Sequence, residues 1–478
     1  MNDIKIPISK IIKEDKKKRA GKISSPLVLG VSSEEVITSL STDTRTIQSG
    51  DWFICLRGES IDGHNYIKQA LDKGARGVII EKDNSALDSH EIVKSHSHAG
   101  VIEVSNTTQF LGEMARTWRN IISPTVIAIT GSNGKTSTKE LLYYLLNTMH
   151  PGKVHKSSGN WNNQFGVPFS LLNLRSNHEY AVIELGTNHP GEIAGLSRIA
   201  EPEYAIVTSV SRGHIGNFGS TEKIAEEKSD IVAGMIQPKA LILHQNSIFL
   251  DNFLEKSREM DCPVVHPSDE LSLEKIEENE LTVSLFGSSY SVSIQGAHQF
   301  ANFSLAVTTL LSLGEKKEEV ISAVKKMSEY STTSGRLAVK KISEINVWDD
   351  SYNANPDSFF AAMNYLFSLK EDNALFGIFG KMGELGEYTI QSHQELGKEA
   401  ANTGFEAVLF SCDDEEIQEA FKAGWSEVAD ADKLISAGES DESLKAPVQT
   451  FVKKVKPHDH LLVKGSRAAA MERVFSWI

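Results

Sequence analysis

Thr125 to Thr130 (TVIAIT) is an apolar, β-branched run, and Gly131-Ser132-Asn133-Gly134-Lys135-Thr136 follows it directly. Ser137 to Asn147 (STKELLYYLLN) then places Leu141, Leu142, Leu145 and Leu146 on one face of a helical period. A continuous apolar strand is one buried on both faces, which confines it to a parallel sheet covered by helices. That succession of strand, glycine turn and helix constrains the chain more than any other stretch. Glycines let backbone N–H groups curl around an anion, and the helix start adds unpaired N–H groups and a positive dipole end. Lys135 is placed to reach β- and γ-phosphates and the Thr136 hydroxyl to meet Mg²⁺. The general form of such loops has a glycine where Ile129 stands; here the first is Gly131, so the match is to a shorter GxxGKT form. Gly131 to Ser137 are therefore expected to bind ATP. Kinase, motor, switch and ligase all stay open, since a nucleotide loop does not name a reaction.

The same alternation continues on either side. Runs at Ala181 to Leu185, Tyr204 to Val210 and Ala240 to His244, with helical segments between, predict a doubly wound α/β sheet in the middle of the chain. Ahead of it, Trp52 to Leu56 and Gly77 to Glu81 flank a helical pattern over Asn65 to Lys73, predicting a small α/β unit. Leu281 to Gly296 alternates around Gly287-Ser288-Ser289 and predicts a hairpin. From near Ser331, runs at Ile345 to Trp348, Ala374 to Gly380, Ala407 to Ser411 and His460 to Lys464 are each read as followed by a helix, which is α/β with a parallel sheet once more. Length agrees, because 478 residues at roughly 150 per domain suggest three. The expected division is 1–122, 123–330 and 331–478.

Composition narrows the function class. No apolar run approaches the roughly 20 residues that a membrane helix needs. The N-terminal basic cluster, Lys16 to Arg19, follows a weakly apolar stretch with no cleavage-site pattern, so no secretory signal is expected. A formal net charge of −15 disfavours nucleic acid and anionic lipid, and Lys16 to Arg19 is the one short basic run against it. Cys55, Cys262 and Cys412 lie far apart with no zinc spacing, which fits a reducing cytoplasm.

Other candidates gather at strand ends. Glu184 closes the second apolar run of the middle unit, at the edge where open α/β sheets hold ligands, and a carboxylate there suits Mg²⁺. It equally fits a strand-end acid facing water. His214, in Ser211-Arg-Gly-His214, ends the next run and gains interest from its neighbours. Lys228, in IAEEKSD, reads on its own as an exposed helical lysine; its functional alternative is carbamylation into an oxygen-donor anion. Asn160-Trp-Asn-Asn-Gln-Phe-Gly166 is an Asn-rich loop suited to peptide or sugar recognition, or to an Asx-type turn.

Taken in order, these motifs resemble the Mur ligase family over nearly the whole chain. The resemblance runs through Thr42-Asp-Thr-Arg45 with Asp62-Gly-His64, GSNGKT, GNWNNQFGVP and ELGTNHPGEI. It continues in His214 with Lys228, Gly296-Ala-His298 with Asn302, Gly335-Arg336, DDSYNANPDS and LVKGSR. Tyr352-Asn-Ala-Asn-Pro356 is similar to the form of the D-alanyl-D-alanine-adding branch.

The resemblance implies three domains: an N-terminal one for the UDP-sugar, a central ATPase and a C-terminal Rossmann-like domain that closes over the site. It implies a cytoplasmic, monomeric ligase that uses ATP and two Mg²⁺ ions to join D-Ala-D-Ala to UDP-N-acetylmuramoyl-tripeptide in peptidoglycan synthesis. Carried over by residue, Asp43, Thr44 and Arg45 hold the UDP end, with Asn162 and Asn163 on the substrate. Lys135 and Thr136 serve the triphosphate and Mg²⁺, and Glu184, His214 and a carbamylated Lys228 surround the metals. His298 and Asn302 resemble adenine-side residues, Arg336 approaches phosphate and Asp350 the ribose. Asn353 and Asn355 meet nucleotide or peptide at the domain junction, and Lys464 and Arg467 serve the incoming or accepting substrate. Lys381 stands where the family commonly has Asp. The alternatives are a diaminopimelate- or lysine-adding Mur ligase and a folylpolyglutamate-synthase-like ligase, with a nucleotide-binding scaffold that has lost turnover as the non-enzymatic one.

Overall fold

The computed structural model describes residues 2–12, 26–58, 60–82, 88–278, 280–332, 334–342 and 344–478. The basic run Lys16 to Arg19 lies outside the described residues.

Three six-stranded sheets follow one another along the chain. In the first, Val36–Ser41, Trp52–Ile54, Gly77–Glu81 and Gly100–Val104 run parallel, with Asn2–Pro7 and Leu27–Leu29 as antiparallel edges. The helix Thr107–Ile122 joins this sheet to the next unit. Asn106 caps its start by accepting from the Gln109 amide, and Phe110, Leu111, Met114 and Trp118 bury one face. Its far end is riveted to the central domain. The Trp118 indole donates to the Leu174 carbonyl at 3.1 Å, and the Arg119 guanidinium donates to the Ala200 and Glu201 carbonyls and to Glu203.

The central sheet is wholly parallel, in the order Val264–Val265, Ala240–Ile242, Tyr204–Val207, Thr125–Thr130, Tyr180–Glu184, Val154–Lys156. Alternation along Thr125–Thr130 serves two cores, as expected of a strand with no solvent face. Ile127 and Ile129 pack with Leu141, Leu142, Leu145 and Leu146 of the following helix, whereas Val126 and Ala128 pack with Val167, Leu171 and Ile193. After Thr125–Thr130 the chain adds strands on one side and then, from Tyr204, on the other. The glycine turn therefore leaves the sheet where strand order reverses, the usual crevice for a ligand.

Two details differ from expectation. The hairpin is present, but its turn is Phe286-Gly287, with φ of +53° and +77°, and Ser288 and Ser289 already belong to the strand Ser288–Val292. Two left-handed residues match the twist of the flanking strands and fix this tighter turn. A third strand, Leu271–Ile276, extends the hairpin into a small antiparallel sheet.

In the third unit the order is Ala338–Ile342, Ile345–Asp350, His460–Lys464, Leu375–Gly380, Phe405–Ser411, Leu434–Ala437. Only the edge Ala338–Ile342 is antiparallel. The late strand His460–Lys464 slots into the middle, and its register puts Lys464 beside Asp350. No α-helix follows it. Arg467–Ala469 and Met471–Ser476 are 3₁₀ turns, separated at Ala470, whose φ of +48° stops a helix from propagating. The expected fold class, α/β in three domains with a mostly parallel central sheet, is the one observed.

Candidate active site

Gly131 and Gly134 are where a side chain has no room. A Cβ on Gly131, at φ +147°, would lie 1.9 Å from Thr208 Oγ1, and one on Gly134, at φ +86°, would lie 2.3 Å from Asn302 Oδ1. The turn is thus pressed between the loop after Tyr204–Val207 and the helix Ala297–Ser312. Ser132 and Asn133 donate their amides to the Ser209 carbonyl and hydroxyl at 2.8 and 3.0 Å. Lys135 begins the helix Lys135–Met149, and its ammonium donates to the carbonyls of Gly131 and Ser132 at 2.7 and 3.2 Å. Burial pulls the Lys135 pKa down, Glu184 opposes this and Arg336 adds to it.

Thr136 is the junction. Its hydroxyl donates to Glu184 Oε2 at 3.0 Å and accepts from Arg336 Nη2 at 3.2 Å. Glu184 is buried at the end of its strand; Asn162 Nδ2 donates to its other oxygen at 2.8 Å, and the Lys139 ammonium lies 3.4 Å away. A carboxylate with no water to solvate it survives only among such donors. The strand-end acid facing water is therefore not what Glu184 is. Asn163 is different: its side chain accepts from the amides of Phe165 and Gly166, an Asx-type turn that starts the helix Gly166–Leu172.

Lys228 is not the exposed helical lysine that local sequence suggests. It is buried on the helix Thr221–Ser229, with no ion pair among the described residues. Burial lowers its pKa strongly, and the positive charge of Lys135 lowers it further, which places the two lysines within electrostatic reach. His214 Nδ1 lies 2.6 Å from the Glu384 carboxylate, brought by the C-terminal domain. Among the described residues no group of three or more His, Cys, Asp or Glu side chains encloses a metal. Thr136 and Glu184 nonetheless supply hard oxygens side by side, the partial donor set that suits Mg²⁺ when substrate phosphates complete its shell.

On the other flank of the glycine turn, Ser137 accepts from Gln299, and Asn302 accepts from Thr138 and donates to Gln299. A cleft here is lined by Ser137, Leu141, Ile294, Gln299, Tyr330, Thr332 and Arg336. Ile294, Tyr330 and Thr332 were not legible as site residues, because nothing in their local pattern points to the loop. His298 sits half-buried near Asp350 and Lys464, its pKa lowered chiefly by burial.

The C-terminal residues form a second shelf. Lys464, buried, reaches Asp350 at 2.5 Å and the Asn353 carbonyl at 3.1 Å. Asn355 caps the helix Pro356–Leu369 and trades hydrogen bonds with Asn133 of the glycine turn at 2.8 and 3.3 Å. Arg336 stacks over the Tyr352 ring at 4.1 Å, and Arg467, mostly exposed, stands at 6.0 Å from the same ring. Lys381 pairs with Glu439 at 3.0 Å, so the charge at this position is matched within its own domain. Asp43, Thr44 and Arg45 keep to themselves. Arg45 clasps the Asp43 carboxylate at 2.7 Å and holds its pKa down at about 2, while Thr44 bonds Gln69 and Lys73 within the N-terminal domain.

Comparison with known proteins follows the same three units. The Mur ligase family catalytic domain matches residues 36–119, the Mur ligase middle domain 129–310, and the Mur ligase glutamate ligase domain 335–467. The UDP-N-acetylmuramoyl-tripeptide–D-alanyl-D-alanine ligase of Bacillus subtilis is 32% identical over 369 residues, covering 76% of this chain and 78% of that protein. The crystal structure of MurF from Acinetobacter baumannii superposes with a TM-score of 0.82 at 26% identity, over 100% of this chain and 99% of that one. MurF ligase from Thermotoga maritima in complex with ADP gives 0.76 at 26% identity, over 92% and 97%. With three domains in the same order around one phosphate loop, the chain belongs to the Mur ligase family.

Proposed function

We propose that this protein is an ATP-dependent ligase that joins D-alanyl-D-alanine to UDP-N-acetylmuramoyl-tripeptide through an acyl phosphate, a step of peptidoglycan synthesis. The observation that carries it is the Thr136 hydroxyl, which links the nucleotide loop, Glu184 and an arginine of the C-terminal domain at one oxygen. A carboxylate attacking a triphosphate brings two anions together, so the site must neutralise both. Lys135 and Arg336 are the cations in place for that. Thr136, Glu184, His214 and a carbamylated Lys228 would hold two Mg²⁺ ions, which when bound supply Lewis-acid polarisation of the phosphoryl oxygens.

His298 and Asn302 are assigned to the adenine side, where Asn302 is held by Thr138 and Gln299 behind the start of the helix Lys135–Met149. Asp350, fixed by Lys464, faces the ribose, and Asn353 and Asn355 lie where nucleotide and peptide would meet. Asp43, Thr44 and Arg45 are assigned to the UDP end, Asn162 and Asn163 to the substrate near Glu184, and Arg467 to the acceptor. Water would hydrolyse an acyl phosphate, so closure of the C-terminal domain precedes transfer. Tyr352 to Pro356 favours the dipeptide acceptor over single amino acids or glutamate. The domains are taken as 1–122, 123–330 and 331–478. Among the described residues no helix is long and apolar enough to cross a membrane. A nucleotide-linked substrate supports a cytoplasmic location, and the monomer is taken from the family resemblance alone.

The test is phosphate release and peptide-bond formation with each acceptor in turn, given UDP-tripeptide and ATP. D-Ala-D-Ala should be ligated and lysine, diaminopimelate and glutamate should not. Lys135→Ala should lose ligation by about 100-fold or more, as removal of one charge-stabilising group does, while UDP-tripeptide binding, read by calorimetry, stays near wild type. Ligation of another acceptor, or binding that collapses with activity, would overturn the assignment.

A further inference from the structure

Between Ser211, which is bonded to the glycine turn, and His214 stands Arg212, a residue with no role in the chemistry above. Its guanidinium leaves the central domain and spans two helices of the C-terminal one. Nε and Nη2 reach Asp357 Oδ1 at 3.3 and 3.1 Å, Nη1 reaches Glu395 Oε2 at 2.9 Å, and the Arg212 amide donates to Asp357 Oδ2 at 2.9 Å. The guanidinium carbon also lies 5.6 Å from the Phe360 ring. Asp357 is in the first turn of Pro356–Leu369, the helix whose cap, Asn355, is paired with Asn133. Ser132 Oγ donates to the Ser211 carbonyl and accepts from the Ser211 amide, and Asn133 Nδ2 donates to Ser211 Oγ. The start of one C-terminal helix is thus fastened at two neighbouring points, by an amide pair to the phosphate loop and by a charge-assisted fork to the segment bonded to that loop.

We propose that Arg212 is a positioning residue whose fork to Asp357 and Glu395, together with the Asn133–Asn355 pair, is the clasp that seats the C-terminal domain on the phosphate loop and keeps water from the acyl phosphate. The inference rests on the ligase function proposed above. A planar fork with two carboxylate partners on separate helices fixes orientation as well as distance, which a single lysine cannot do. The fork is about one third exposed and lies next to Ser211, which is bonded to Ser132 and Asn133, so it acts beside the loop and not through it. Loss of the clasp should leave nucleotide binding intact and let the intermediate leak to water.

The experiment compares wild type with Arg212→Ala, Arg212→Lys and Glu395→Gln in the complete enzyme. For Arg212→Ala, ATP KM should stay within about threefold while kcat for peptide-bond formation falls about tenfold to 100-fold, the range that a displaced closing element costs. Phosphate released per peptide bond formed should rise above the wild-type ratio. Arg212→Lys should not restore that ratio, and Glu395→Gln should shift it part of the way. Small-angle scattering with UDP-tripeptide and a non-hydrolysable ATP analogue should show a larger radius of gyration for Arg212→Ala. Wild-type coupling and wild-type scattering in Arg212→Ala would overturn the clasp, as would full rescue by lysine. If Arg212→Ala does not fold, Glu395→Gln decides by the same two readouts. A wild type that forms no peptide bond would refute the ligase function instead, and scattering alone would still decide the clasp.

Discussion

At the scale of single residues, Lys228 is the most informative. A lysine buried within electrostatic reach of a second cation, with no ion pair among the described residues, is unfavourable as an ammonium: burial and then Lys135 depress its pKa, and the Glu227 charge opposes them. A depressed pKa favours the free amine, the form that would attack CO₂ in the proposed carbamylation. The N–C bond so formed would release a proton and leave an anion, favourable near Lys135. Lys228→Ala should therefore lower ligation by about 100-fold, at the upper end of what loss of a metal-supporting group costs. Added acetate or another short carboxylate should recover part of it, measured as phosphate release at fixed Mg²⁺. Complete indifference to such acids would remove the carbamate. Sequence signalled this residue only through family resemblance, because IAEEKSD reads locally as a solvated helix face. Lys139 and Arg212 gave no signal at all: each looks like an ordinary charged residue, and each acquires its meaning from partners 20 to more than 100 positions away, such as Gly159, Asp357 and Glu395.

At the scale of elements, legibility follows burial. Strands buried on both faces, such as Thr125–Thr130 and Leu375–Gly380, stand out as unbroken apolar runs. The short edge strand Val154–Lys156 has no such pattern and was missed. Its middle residue carries a pH dependence. His155 stacks on His178 with ring centroids 5.2 Å apart and donates from Nε2 to the Ser170 carbonyl at 2.8 Å. Burial, then His178, pushes its pKa down to about 4 from an ordinary 6.5. The unfolded chain therefore takes up a proton below pH 6.5 that the folded chain refuses until about pH 4. Stability is complete above 6.5 and falls as pH drops through that window, by up to about 3 kcal/mol from this residue. His155→Gln can keep the donor to Ser170 without the titration. In urea melts its stability should depend on pH less steeply than wild type between 6.5 and 4, by about one proton's slope. An unchanged slope would mean that His155 protonates freely in the fold.

At the scale of the whole molecule, the two domain junctions are built differently. The C-terminal domain meets the centre through polar contacts that water can replace on opening, Arg212 with Asp357 and Glu395, Asn133 with Asn355, and Tyr388 with the Gly219 carbonyl, and through one close approach, Gly216 against Leu385 and Gly386. The N-terminal domain is fixed by burial. Gly112 lies against Ile199, the Trp118 indole is sealed under Leu174, and Arg119 is 3% exposed with its guanidinium shared among Glu203 and two backbone carbonyls. Such a charge cannot be released into a gap without stranding its acceptors. The first two domains should therefore move and unfold together while the third moves against them. Arg119→Met removes the donor and leaves two buried carbonyls and Glu203 without it, at a cost of about 3 kcal/mol. In calorimetry the variant should split one N-terminal and central transition into two, with the C-terminal transition unmoved. A single transition at the wild-type temperature would mean that the apolar contacts of Thr107–Ile122 alone hold the junction, and that Arg119 only fills space there.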